Sequence, residues 1–513
     1  MAHGSTGPRN QLRTLTRRLF LKGTLGTGTV LLLAACGPST STTSAPTSGP
    51  NAAAPTKAAA AATSAGAPST PPAAPTAASG ATSAAAATPR PAATPSAATP
   101  GTVATAGAST GTAVLKGTKL HLLSWSSFVP AEDQWFKETL VNEWATPNGV
   151  ELTIELVSAN DVQPKVTAAL QSGAGPDLLQ MQWTWPHLYA DKLVDVSDIA
   201  DKAGSDGGGW FEAPKQNCYV NGKWLAMPFA LTGNAIAYRS SWMKEGAGTD
   251  QFPTTWEDYT KVGGAVKQKK NTFVGQAVAH SFGDPPTFIF PFLWSFGGSE
   301  TDETGKKIAI NSPETEAALK AFKEWFDACS DPQCLSWDDS SNNRAYLAGQ
   351  IWATLNGASI YVKALTDAPD IAQDTQHALL PKGPKGQFIL AFPYGFAIPT
   401  YVKDPKPAKA LLAHLLDPKV YGGFMKAGKG YTQAPYKKGA TELWPSTDPK
   451  FDPFKQIGDL SKWYGYPAPP SPAAAQSGSK YIVVDMFAKV IQGETPQAAM
   501  QWAEGELKNV YQV

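Results

Sequence analysis

From Leu115 onward, apolar and polar positions fall into short segments that switch between two periods. Leu120-His121-Leu122-Leu123-Ser124-Trp125 is a compact apolar run that predicts a strand. Asp133 to Trp144 places Trp135, Phe136, Leu140, Val141 and Trp144 at helical spacing. Gly149 to Val157 then alternates through Val150, Leu152, Ile154 and Leu156, a second strand. Val162 to Leu170 predicts another helix, ended by Gly173, and Leu178-Leu179 opens a third strand. Strands alternating with amphipathic helices imply an α/β fold with parallel strands. About 400 residues exceed one comfortable hydrophobic core, so two lobes are expected.

The pattern is absent before Leu115. Thr40 to Thr112 is built of Ala, Thr, Ser, Pro and Gly, with only Asn51, Lys57, Arg90 and Val103 as exceptions. Such a stretch has too little apolar surface to offset the entropy of ordering it. Residues 37–114 therefore read as a disordered tether with an end-to-end distance of about 45–50 Å. Ahead of it, Thr16-Arg17-Arg18-Leu19-Phe20-Leu21-Lys22 resembles a twin-arginine export signal, and Leu33-Ala34-Ala35-Cys36 resembles a bacterial lipobox. Residues 1–36 are read as a cleaved signal ending at a lipidated Cys36. The apolar run Leu25 to Leu33 is too short to span a bilayer. The expected location is extracytoplasmic, on the outer face of the cell membrane.

Removing Arg9, Arg13, Arg17, Arg18 and Lys22 takes the formal charge from +1 to −4 for a chain beginning at Cys36. That disfavours nucleic acid as a partner, because phosphate binding needs a basic surface. Cys329 and Cys334 bracket the turn sequence Ser330-Asp331-Pro332-Gln333, where an exported protein favours a disulfide over free thiols. Cys218 is left as a buried thiol. No cofactor and no metal are expected: the six histidines are isolated, and H-E-x-x-H, C-x-x-C and P-loop motifs are missing.

Lys165-Val166-Thr167-Ala168-Ala169-Leu170-Gln171-Ser172-Gly173-Ala174-Gly175-Pro176-Asp177-Leu178 resembles the helix–glycine–Pro-Asp segment of the extracellular solute-binding proteins of ABC importers, family 1, the group containing maltose-binding protein. Asn221 to Pro228, Ala237-Tyr238-Arg239, Phe252 to Asp258, Phe296-Gly297-Gly298, Ala348 to Ala353 and Leu380 to Gly383 follow in the family's order. The resemblance covers roughly Gly117 to Val513. It implies a two-lobed periplasmic-binding-protein-like (type II) fold with ligand in the interlobe cleft. Lobe 1 would hold about 117–232 and 398–434, and lobe 2 about 233–397 and 435–513. The chain would cross first near Phe229 to Ala235, return near Gly395 to Pro399, and cross again near Ala434. By the same resemblance, the protein is a monomeric importer component that delivers a small solute, carbohydrate by family, to membrane permease subunits. A solute sensor of the same fold is the alternative.

A sugar presents hydroxyls at its edges and apolar C–H patches on its faces, so binding calls for polar side chains and aromatic plates on strand-end loops. Those loops nominate Trp125 and Ser126, Trp183 and Trp185; the resemblance adds Thr232 and Asn234 at the presumed crossing, and Thr287, Asn356 and Tyr394 in segments that match the family's ligand-facing loops. Each has a competing role: a tryptophan is commonly core, Thr232 and Asn234 can satisfy backbone at a hinge, and Asn356-Gly357 can be a turn. Trp183 and Trp185, two residues apart on one loop, are not expected both to point inward. Trp135, Trp144, Trp325 and Trp352 lie within element patterns and are expected in the core. The selected loops hold few carboxylates or arginines. A cation would call for inward carboxylates and aromatic cages, and an anion for Arg or exposed helix N-termini; neither pattern is evident. An exported hydrolase is the remaining enzyme class. Ala279-His280-Ser281-Phe282-Gly283 loosely resembles a nucleophile elbow, but Asp284-Pro285-Pro286 predicts an extended turn where that motif needs a helix.

Overall fold

Strand β1 (Lys119–Trp125) runs parallel to β2 (Glu151–Val157) and to β3 (Leu178–Gln182), as the alternating pattern predicts. The computed structural model describes residues 115–513; the export signal, Cys36 and the tether expected from sequence lie outside the described residues. No helix among the described residues is long and apolar enough to cross a membrane. Between β1 and β2 the helical segment Pro130–Gln134 continues as a wider, π-helical stretch, Trp135–Ala145. Between β2 and β3 the helix Ala159–Ser172 ends where Gly173 takes φ +68°, a left-handed position that favours glycine.

A short hairpin, β4 (Tyr219–Val220) and β5 (Lys223–Trp224), turns through Asn221 and Gly222, both at positive φ. The chain then enters β6 (Met227–Thr232) and passes directly into β7 (Ala235–Arg239). These two strands belong to different sheets. The first sheet is ordered β12-β6-β11-β3-β1-β2 and the second β10-β7-β9-β8, with β8 (Phe273–Val274), β9 (Ile351–Asn356), β10 (Thr375–Ala378), β11 (Phe392–Ala397) and β12 (Thr432–Gln433). Each sheet mixes parallel and antiparallel neighbours, and each is the centre of one α/β lobe. The fold is the expected two-lobed one, with the first crossing at Gly233-Asn234. A Cβ on Gly233 would sit 2.5 Å from Ile457 Cδ1, so the crossing accepts no side chain there without displacement.

Two expected boundaries move. β11 already pairs antiparallel with β3 and β6, so the return to the first sheet precedes Phe392 instead of falling at Gly395 to Pro399. Tyr436 still bridges Trp210, and Lys437 N and Lys438 N donate to Gly209 and Gly207, so the third crossing follows Ala440 rather than Ala434. By Asp448 the chain is on the second lobe, where it accepts a hydrogen bond from Tyr361 Oη at 2.5 Å.

Trp135, Trp144, Trp325 and Trp352 are all buried in the core, as expected. The expected disulfide is not formed: Cys329 and Cys334 are free thiols. Cys329 Sγ turns toward the helix Trp256–Lys270 and donates to Thr260 O at 3.2 Å, whereas Cys334 Sγ receives Ser330 Oγ at 3.5 Å. Burial pushes the Cys329 thiol up to about 12, so it stays protonated and unreactive. Cys218 is also buried and free.

Candidate ligand-binding cleft

The ends of β1, β6, β9 and β11 converge where the two sheets face each other, and loops from both lobes close over that point. A hollow there, partly open to solvent, has a cavity volume of about 40 Å³. Trp125, Phe128, Thr232, Phe392 and Tyr431 line it from the first lobe and the crossing; Phe282, Asp284, Asp339, Asn343 and Asn356 line it from the second. Trp125 packs its ring 5.1 Å from Phe392 and 6.0 Å from Phe128, while Phe282 meets Phe392 edge-on at 5.4 Å. The two lobes are therefore in aromatic contact across the cleft.

Beside it lies a second hollow with a cavity volume of about 90 Å³, lined by Asn160, Gln163, Trp183, Trp185, Tyr464 and Tyr481 among others, with Phe282 common to both. Trp183 lies 4.9 Å from Tyr464 and 6.0 Å from Phe282, and Gln163 Nε2 donates across the lobes to Ser479 Oγ at 3.1 Å.

Five nominated residues, Trp125, Thr232, Asn234, Thr287 and Asn356, share the first hollow. Asn234 Nδ2 donates to Thr287 Oγ1 at 2.7 Å, Thr287 Oγ1 donates to Asp284 O at 3.0 Å, and Asn356 Nδ2 donates to Asn343 Oδ1. Trp183 and Trp185 line the second hollow. Both are buried, against the expectation that only one points inward. The reason is local. Trp183 adopts φ +49°, which redirects the chain so that Trp185 can open the short helix Trp185–Leu188 from the same side. A left-handed conformation at a bulky residue costs roughly 1–2 kcal/mol, strain of the kind stored at functional sites.

Tyr394 and Ser126 lie elsewhere. Tyr394 sits in β11 behind Trp125, 5.8 Å from it, between Phe392 and Phe396, and lines neither hollow. Ser126 is exposed and donates to Asp133 Oδ2 at 2.5 Å, while Ser127 N donates to Asp133 Oδ1 at 2.8 Å; the pair fastens the start of the helical segment.

The sequence reading missed two carboxylates in the first hollow. Asp339 Oδ1 accepts from Ser281 Oγ at 2.7 Å and Asp284 N at 2.9 Å, and its Oδ2 from Gly283 N at 2.8 Å. Asp284 Oδ2 accepts from Asn342 Nδ2 at 2.6 Å. Burial, reinforced by the charge of Asp339, holds the Asp284 carboxyl well above the usual carboxylate range. Asp339 is also raised by burial, against the opposing effect of its three donors. The signal available in sequence was Asp338-Asp339-Ser340, an acidic turn before the helix Ser341–Leu347.

The helix Asp284–Phe296 begins directly after Gly283, overturning the extended turn expected there. Pro285 occupies the first turn of that helix, where its missing N–H costs nothing. The segment still lacks hydrolase chemistry, because the Ser281 hydroxyl is committed to Asp339. His280 Nδ1 instead lies 3.5 Å from Asp485 Oδ1.

Residues 129–422 match the model of a family described as bacterial extracellular solute-binding proteins. A probable ABC transporter-binding protein of Deinococcus radiodurans is 25% identical over 385 residues, 72% of this chain and 88% of the relative. The diacetylchitobiose binding protein DasA of Streptomyces coelicolor is 22% identical over 402 residues, 75% of this chain and 88% of that one. Among solved structures, maltose-bound MalE3 of T. maritima superposes with a TM-score of 0.66 at 18% identity, covering 77% of this chain and all of its own.

Proposed function

The chain belongs to the bacterial extracellular solute-binding proteins, and we propose that it is the membrane-tethered binding component of an ABC importer for a carbohydrate. The observation that carries this reading is the make-up of the interlobe hollow. Aromatic faces of Trp125, Phe282 and Phe392 stand beside Asn234, Thr287, Asn343 and Asn356, plates for sugar C–H faces next to partners for hydroxyls. The relative named for diacetylchitobiose and the neighbour solved with maltose point the same way.

The proposed mechanism is a clamp that pivots at the crossings around Gly233-Asn234 and its two companions. Solute first meets one lobe, and closure adds contacts from the other. Only the contacts made in the closed state favour closure. The closed form is what the permease subunits recognise, and nucleotide chemistry lies with them. Cys36 lipidation and the tether would keep the lobes close to that partner; two acyl chains suffice for stable attachment.

The test is mass spectrometry of solute retained by the purified protein, followed by a thermal-shift panel of sugars, amino acids and polyamines. A saccharide at about a hundred times its Kd should add about 2.7 kcal/mol of stability. Binding confined to a non-carbohydrate class contradicts the reading.

A further inference from the structure

We propose that the cleft selects a solute bearing a protonated amino group, an aminated carbohydrate over its neutral counterpart; this rests on the carbohydrate reading above. The first hollow contains two side chains of acidic type, Asp284 and Asp339, and no lysine, arginine or histidine lines it. The carboxylates are differently placed. Asp339 spends both oxygens on the loop Ser281–Asp284, accepting three hydrogen bonds. Asp284, 8% exposed, has Oδ2 bonded to Asn342 and leaves Oδ1 without a hydrogen-bond donor among the described residues.

On the opposite wall Thr232 Oγ1, in a residue 5% exposed, is buried without a hydrogen-bond partner. The cleft thus offers one open carboxylate oxygen, with the Thr232 hydroxyl beside Tyr431 and the rings of Trp125, Phe282 and Phe392 around it.

A neutral polyol explains the asparagines, threonines and rings, and three donors meet Asp339, but Asp284 is left with one donor and no counter-charge. Taking a carboxylate out of water is costly unless a cation or several donors meet it. An ammonium supplies that charge to Asp284 Oδ1, has protons left for Thr232 Oγ1, and is attracted to aromatic faces. An anionic solute meets no favourable charge here at all.

Protonation separates two ways of using Asp284. The ionisable groups facing it are Asp339, Asp338 and Tyr431, and all three disfavour its ionised form or stay neutral. An ammonium must draw the proton off Asp284, so affinity falls as pH falls. A neutral sugar accepting a hydrogen bond from protonated Asp284 would bind more tightly as pH falls.

The test is calorimetric titration of the full chain with chitobiose, which carries two free amino groups, N,N′-diacetylchitobiose, maltose and spermidine. Chitobiose is expected to bind at least about tenfold more tightly than its diacetyl form. That preference should weaken from about pH 7 to about pH 5, and Asp284→Asn should bring the ratio to about one. If that variant fails to fold, the pH profile of the unmodified chain decides. Neutral sugars binding as tightly as chitobiose overturn the inference and leave the carbohydrate reading intact. Spermidine bound with no sugar assigns the amine to a polyamine, which upholds the ammonium site and sinks the carbohydrate reading. No binding by any of the four sinks both.

Discussion

Trp125 and Trp183 each carry a large aromatic face to a different hollow of the same cleft, so their losses should not be equivalent. Trp125→Ala should weaken binding of a solute in the first hollow by about 1–3 kcal/mol, measured by calorimetry, with the fold retained. Trp183→Ala removes a second plate that also packs 4.9 Å from both Phe392 and Tyr464, so some loss of stability should accompany any loss of affinity. Equal, purely structural losses in both would return the two tryptophans to the core. Residue chemistry at strand ends was legible in sequence where the strand was, which points to Trp125, whereas Thr232 and Asn356 follow from the family resemblance. Asp284 was not legible, because Asp-Pro-Pro has the same appearance in a turn and in the first turn of a helix. Asp339 stands in a visible acidic turn, but its place at the cleft was hidden because Ser281 and Gly283, which fix it, are more than 50 positions away.

At the scale of elements, caps and periodicity translated well, and antiparallel insertions did not. Thr255 caps the helix Trp256–Lys270: its Oγ1 accepts from Asp258 N at 3.2 Å with Glu257 and Asp258 in the first turn. Thr255→Ala should cost about 1 kcal/mol in chemical denaturation. β11 escaped because a buried strand such as Phe-Pro-Tyr-Gly-Phe-Ala has no alternation, and its partners β3 and β6 are distant in sequence. Another element-level device was equally hidden. Glu132 is buried beneath β12, accepting Thr432 Oγ1 at 3.0 Å and Ser127 Oγ at 2.7 Å. Burial, the dominant cause, lifts its carboxyl from 4.5 to about 7. Because the folded value lies above the unfolded one, the folded state binds the extra proton. Its stabilising contribution is full below about 4.5 and is lost as pH rises through about 7, on the order of 3 kcal/mol. Glu132→Gln should therefore flatten the pH dependence of stability between about 5 and 8 and raise Tm at the alkaline end. An unchanged slope would mean that Glu132 ionises freely in the fold.

For the whole molecule, the two lobes and the first crossing followed from strand–helix alternation, chain length and family resemblance, whereas the exact returns depended on pairings that only the folded sheets display. A chain beginning near Val114 should fold and bind like the longer form, since the Ala, Thr, Ser, Pro and Gly stretch before it has no apolar surface to add to a core. Denaturation midpoint and solute affinity of both forms check this. The central claim is that solute lies between the lobes, held by both. Hydrogen exchange with and without a saturating solute tests that claim most directly. The account predicts slowed exchange in first-lobe segments around Trp125 to Phe128 and Phe392, in second-lobe segments around Phe282 to Thr287, Asp339 to Asn343 and Asn356, and at the crossing Thr232 to Ala235. Protection confined to one lobe, or to the separate surface groove beside Thr255, Lys261 and Lys382, would contradict it.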